Sequence, residues 1–202
     1  TGRLLAALNS SDYRNLWLSS LSSSAAAWAL IVARGVLVYE ISGSSTWVGV
    51  TTFAAMIPLL LVPPIAGFFA DKFERGKLLA WVFAVQMAHN GLLAVLALTD
   101  VIEPWHLVVL AFVNGCGRAF QMPVAQALLP NVVPKDHLLN AIALSTATVQ
   151  GSRLVGAGLI APLLATVGAG PPFILCTVFY GGALFFSRRI QSPSTGEIDQ
   201  GR

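Results

Sequence analysis

The chain has 202 residues, of which 55% are hydrophobic and only 10% charged, and its mean hydropathy is +0.73. A soluble domain carries about 25% charged residues, so this composition excludes a fully solvated globule and calls for a surface that faces lipid. The basic balance, with a pI near 9.2, does not read as a nucleic-acid footprint, because the bases sit between apolar segments in the way that orients a membrane protein.

Six apolar segments follow one another, near the roughly 20 residues that a helix needs to cross a bilayer. They cover about residues 16–39, 48–70, 78–98, 107–129, 141–167 and 172–186. All are expected to be helices, since lipid offers no partner to an open backbone. Residues 1–15 precede them, the bundle occupies 16–188, and 189–202 form a tail rich in Ser, Pro, Gly and charge, which reads as a linker or disordered end. The first segment holds Trp28 at mid-depth and Arg34 about five residues from its far end, where a long side chain can snorkel. The third holds Gln86, His89 and Asn90, a set suited to interhelical hydrogen bonds. In the fourth, Asn114, Arg118 and Gln121 share a face at spacings of four and three. In the fifth, Thr146, Gln150 and Arg153 do the same, and Gly151, Gly156 and Gly158 suit close helix packing.

The connectors fix the topology. With the N-terminus inside, the inner ones hold Arg3, Arg14, Lys72, Arg75, Lys77, Lys135, Arg188, Arg189 and Arg202, and the outer ones hold no Lys or Arg. This is the positive-inside pattern, and it predicts six crossings with both ends cytoplasmic. Tyr13, Trp17 and Trp81 fall at the inner interface, and Tyr39, Trp47 and Trp105 at the outer one, as an aromatic belt requires.

Charge inside the membrane is costly and normally faces a cavity or a partner. Arg34, Arg118 and Arg153 lie within segments, and no segment holds an Asp or Glu. The two polar stripes therefore predict a shared water-filled cavity, with Trp28 as a packed ring or as a stacking surface for an aromatic or cationic molecule. Cys116 and Cys176 fall in apolar segments and read as small core residues. The chain lacks His-Glu-x-x-His and Gly-x-Ser-x-Gly, so no catalytic residue, metal or cofactor is expected.

The second inner connector is the most specific local signal: Gly67-Phe68-Phe69-Ala70-Asp71-Lys72-Phe73-Glu74-Arg75-Gly76-Lys77. It resembles motif A of the major facilitator superfamily of transporters, with Gly67, Ala70, Asp71, Lys72, Arg75 and Lys77 matching or nearly so. Glu74 fits the branch that resembles the enterobactin exporter. Tyr13-Arg14-Asn15-Leu16-Trp17-Leu18, the turn around Gly43, and Arg118-Ala119-Phe120 with Pro123 resemble the same branch in the right order. The resemblance implies an all-α membrane protein: six transmembrane helices, one half of a twelve-span fold, built as inverted three-helix repeats. It implies an inner gate at Gly67, Asp71, Lys72, Arg75 and Lys77, alternating access, a small amphipathic substrate such as a siderophore or drug, and a second six-helix half as partner. It places the chain in a bacterial inner membrane as an exporter. A six-helix protein without transport of its own, a scaffold or truncated product, is the alternative. Val155-Gly156-Ala157-Gly158 lacks the Pro of the family's antiporter motif.

Overall fold

A computed structural model describes residues 8, 10–134, 137–168 and 170–192. Arg3, Lys135 and Arg202, and the tail beyond residue 192, lie outside the described residues. Among the described residues there are seven α-helices and no strand. They are α1 (Ser11–Ser42), α2 (Ser45–Leu61), α3 (Pro63–Lys72), α4 (Arg75–Leu98), α5 (Pro104–Val132), α6 (Leu138–Val167) and α7 (Gly170–Ser187). By length and apolarity, α1, α4, α5 and α7 can each cross a membrane, and the bent α2–α3 pair passes the same test when taken as one span. At 30 residues, α6 spans about 45 Å and is also long enough.

The helices begin and end where the sequence supplies the partners. Ser10 caps α1, its hydroxyl accepting from the Tyr13 N–H. Gly43 ends α1 at φ 61°, a left-handed conformation that glycine adopts without strain, and its N–H donates to the Tyr39 carbonyl at 2.8 Å. Ser44 caps α2 in turn. At the start of α5, the Glu103 N–H donates to His106 Nδ1 at 3.0 Å while the Glu103 carboxylate accepts from the His106 backbone.

The single second crossing expected over residues 48–70 is broken. α2 and α3 meet at Val62 with a bend of 49°. Pro63 and Pro64 open α3. Neither has an N–H to continue the ladder of α2, and both suit the first turn of a helix. The connectors also shrink. Asp71 and Lys72 lie in the last turn of α3 and Arg75 and Lys77 in the first turn of α4, leaving only Phe73 and Glu74 between.

Helix α1 is the axis of the bundle, packed on α7, α6, α2 and α5; α4 packs on α7 and α5, and α2 and α3 lie along α5. Such contact on all sides explains why Ala25, Ala26, Ala29, Leu30, Ala33 and Val38 are buried along one helix. Two glycines set helix separations. A Cβ on Gly156 of α6 would lie 2.6 Å from the Ala25 carbonyl oxygen, and one on Gly115 of α5 would lie 2.4 Å from that of Ala55. Gly151 and Gly158 face open space, so of the three α6 glycines only Gly156 serves packing.

The start of α1 and the segment after α7 meet at one end of the bundle. The Asp12 carboxylate accepts from the Gln191 N–H at 3.2 Å, from the Ser192 N–H at 2.9 Å and from the Ser192 hydroxyl. The Ser10 hydroxyl donates to the Val132 carbonyl at 2.8 Å, which brings the end of α5 there too. The first tail residues are thus docked rather than free. The Tyr13 ring is not part of an interfacial belt: it is fully buried, and its hydroxyl donates to the Ala141 carbonyl at 3.1 Å. Trp81, Tyr39, Trp47 and Trp105 are exposed.

Candidate functional site

α5 and α6 both pack on α1 but touch each other little. A gap between two helices that share a third is a groove, and here it forms a cavity of about 760 Å³. The floor is α1, which contributes Ser20, Ser23, Ser24, Ala27 and Trp28. The α5 wall carries Arg118, Gln121, Met122 and Leu129, and the α6 wall carries Ile142, Ser145, Thr146, Val149 and Gln150. The lining therefore mixes an apolar surface with a few polar groups, as small-molecule sites do.

Of the residues expected at a cavity, Trp28, Arg118, Gln121, Thr146 and Gln150 come together in its lining. The Gln121 amide donates to the Ser23 hydroxyl at 2.9 Å, tying α5 to α1 across the floor. Arg153 stands beside the lining, its Cζ 4.2 Å from the centre of the Trp28 ring, so one face of that ring is already covered by a cation.

Two residues of the expected set lie elsewhere. Asn114 is seven residues from Gln121, about 10 Å along the helix, and there the groove has closed. Its amide donates to Gln86 Oε1 and its backbone carbonyl accepts from Gln86 Nε2, both at 3.2 Å, so the pair locks α5 to α4. Asn90 and His89 extend this network to the Gln86 and Leu110 carbonyls. Arg34 does not snorkel. It is only 5% exposed and is directed into the bundle, outside the cavity lining. The α1 serines at 20, 23 and 24 were not singled out from sequence, although the Ser-rich run from 19 to 24 marks a small, polar helix face.

The α3–α4 turn has its own geometry. Arg75 is the anchor: Nε donates to the Ala70 carbonyl at 3.1 Å and Nη1 to the Ala127 carbonyl at 3.0 Å, with Asn131 Oδ1 at 3.5 Å. The guanidinium thus fills one orphan acceptor at the end of α3, the Ala70 carbonyl, and binds that end to α5. Asp71 lies 3.7 Å from Arg75, but its side chain is 76% exposed and open to a further partner. Lys77 pairs with Glu74 at 2.6 Å, and the Lys72 ammonium sits 4.4 Å from the centre of the Phe68 ring. Around Gly67 a Cβ would meet open space, so this glycine is not in a close helix contact within the chain.

A family model for transmembrane secretion effectors matches residues 3–194. The chain is 25% identical over 138 residues to the staphyloferrin A transporter of Staphylococcus aureus, covering 68% of this chain and 35% of that protein. It is 26% identical over 182 residues to the uncharacterized MFS-type transporter YfiS of Bacillus subtilis, covering 89% and 41%. It is 22% identical over 135 residues to macrolide efflux protein A of Streptococcus pyogenes, covering 66% and 33%. The chain thus spans about a third to two fifths of the length of these relatives. With helices of spanning length, an α3–α4 turn of motif A type and a family match over nearly every residue, the chain belongs to the transmembrane secretion effectors of the major facilitator superfamily.

Proposed function

We propose that this chain is the N-terminal six-helix half of a secondary transporter that exports small organic molecules, of siderophore or drug type, across a bacterial inner membrane by alternating access. The observation that carries the reading is the cavity. It lies between spanning helices, mixes polar and apolar lining, and is walled on only three sides by α1, α5 and α6. A second half supplies the missing wall. The relatives' greater length supports this, and the siderophore and macrolide named for two of them support the substrate class. No bond is made or broken, so the chain works as a carrier and not as an enzyme. The bases that gather on the Asp12–Gln191 end, Arg14, Lys72, Arg75, Lys77, Arg188 and Arg189, support a cytoplasmic side for that end.

The α3–α4 turn acts as part of an inner gate. Arg75 holds the turn on α5, while the exposed carboxylate of Asp71 is free to meet a helix end of the second half. An exposed pair at this distance contributes at most about 1 kcal/mol, so Asp71→Asn leaves the bundle folded and shifts the balance of inward- and outward-open states. Efflux from everted vesicles carrying the two-half transporter tests this. Expected is a slower rate at unchanged membrane abundance. Unchanged efflux would reduce the turn to a topology signal, and no efflux by the unsubstituted protein would favour a scaffold.

A further inference from the structure

Arg34, buried in this bundle, and Arg118, half-buried on the cavity wall, have no acid paired with them among the described residues. The chain has nine Asp and Glu residues. Asp12, Glu40, Asp71, Glu74, Asp100 and Glu103 sit in end turns of helices or in connectors, and Asp136, Glu197 and Asp199 lie outside the described residues. Arg34 is 5% exposed, and its Nη1 has no hydrogen-bond partner among the described residues. Arg118 lines the cavity and is close enough for its charge to act on Arg34. Arginine does not escape by losing its proton. Holding a second positive charge near the buried Arg34 is costly unless water or an anion in the cavity meets it. A third guanidinium, that of Arg153, covers one face of Trp28. The charged group of the cavity lining is Arg118; its other polar groups are neutral hydroxyls and amides.

We infer that the cavity takes amphipathic anions, with a carboxylate of the ligand held by Arg118 and its apolar body laid on Met122, Leu129, Ile142 and Val149. The inference rests on the transport reading above for its biological meaning, but the site itself does not. Arg118 is the contacting group, since a guanidinium presents a fork that matches a carboxylate. Arg34 is a positioning residue: it adds positive potential behind Arg118 without lining the cavity. Gln121, fixed by Ser23, stands one turn from Arg118 as a neutral donor.

The test uses three fluorescent probes that share one ring system and differ in charge: dansylglycine (−1), its methyl ester (0) and dansylcadaverine (+1). Binding is titrated by dansyl fluorescence on the purified chain in nanodiscs of neutral phosphatidylcholine. Dansylglycine is expected to bind about tenfold tighter than the ester, and the amine weakest. Arg118→Gln should remove the acid-over-ester ratio, Arg118→Lys should keep part of it, and Arg34→Gln should lower it about threefold. Arg14→Gln, on the exposed first turn of α1, should change nothing. Equal binding of acid and ester by the unsubstituted chain overturns the inference, whether or not any variant folds. Nanodiscs with one third phosphatidylglycerol separate a soluble ligand from a lipid headgroup: loss of dansylglycine binding there assigns the site to lipid and also overturns it. The same ratio is then read in the two-half transporter by competition with efflux. Its disappearance there would mean that an acid of the second half meets the arginines, against the inference. A preserved ratio without vectorial movement would sink the transport reading and leave the anion site standing.

Discussion

The contact between α1 and α6 at Gly156 gives the sharpest test of the packing argument. A Cβ at this position would lie 2.6 Å from the Ala25 carbonyl oxygen, 3.0 Å from the Trp28 Cβ and 3.1 Å from the Ala29 nitrogen. Two of these atoms are backbone, so no rotamer change relieves the clash. α6 would have to retreat from α1 by about 0.8 Å to reach ordinary contact. Overpacking of this kind costs about 1–3 kcal/mol. It is partly offset, because alanine is favoured over glycine in a helix by about 0.5–1 kcal/mol. Gly158 supplies the control. It lies on the same helix, a Cβ there meets nothing within 4 Å, and Gly158→Ala therefore collects only the helix gain. The difference between the two variants isolates the clash at about 1–3 kcal/mol. For a domain of this size each kcal/mol moves the melting temperature by about 2–4 °C, so Gly156→Ala should melt about 2–12 °C below Gly158→Ala in detergent, followed by circular dichroism. Equal melting temperatures would refute the reasoning, because the two sites would then be equally open.

Other expectations follow from the same geometry. With Cys116 and Cys176 replaced, and in the two-half transporter, cysteines at Arg118, Thr146 and Gln150 should react with a small water-soluble thiol reagent, while one at Asn114, 2% exposed and paired with Gln86, should not. Val109 and Leu159, exposed on the outside of the bundle, should react little because they face lipid, and strong labelling at either would put them in water. In intact cells a membrane-impermeant reagent should reach cysteines at Ser44, Glu103 and Gly168 and miss one at Glu74; the reverse pattern would invert the topology. Asn114→Ala should lower the stability of the bundle by about 1–3 kcal/mol, because the Gln86 amide loses its buried donor; an unchanged melting temperature would show that the pair carries no weight.

Segment length and charge made most of this fold legible in the sequence, but facing was legible only where a helix has two different sides. On α5 and α6 the spacings of three and four brought Arg118, Gln121, Thr146 and Gln150 into one lining. That arithmetic gives an azimuth and not a depth. Asn114 shares the azimuth of Gln121, yet it belongs to a closed layer, because Gln86 arrives from another helix at that height. The outer half of α1, from Ala25 to Tyr39, gave no azimuth, because Arg34 is the lone charged residue in an otherwise apolar run. Counting residues to its outer end therefore suggested that Arg34 reaches water. Of its neighbours at spacings of three and four, Leu30, Leu37 and Val38 are buried and Ile31 is half-buried, and they carry Arg34 inward with them. The break at Val62 had a plain signal in Pro63 and Pro64, masked by an apolar run of the right length.

The links that hold the inner end are side chains on backbone carbonyls, and sequence pattern says nothing about them. Ser10 on Val132, Tyr13 on Ala141, Arg75 on Ala127 and Asn15 on Arg189 join α1, α4, α5, α6 and the segment after α7 at that end. Each uses an acceptor that any residue would offer, so the carbonyl side leaves no mark in the sequence, and the donors look like ordinary interfacial residues. Their distribution bears on the proposed mechanism. A half that rocks against its partner has to turn as one body, and ties that all run to a common end, with α1 as the hub, give it that rigidity. α5 and α6 touch each other little, so the groove between them stays open on its own half. In the proposed mechanism a second half closes it, and Asp71, exposed beside the anchored Arg75, stands at the end where that half would have to meet it.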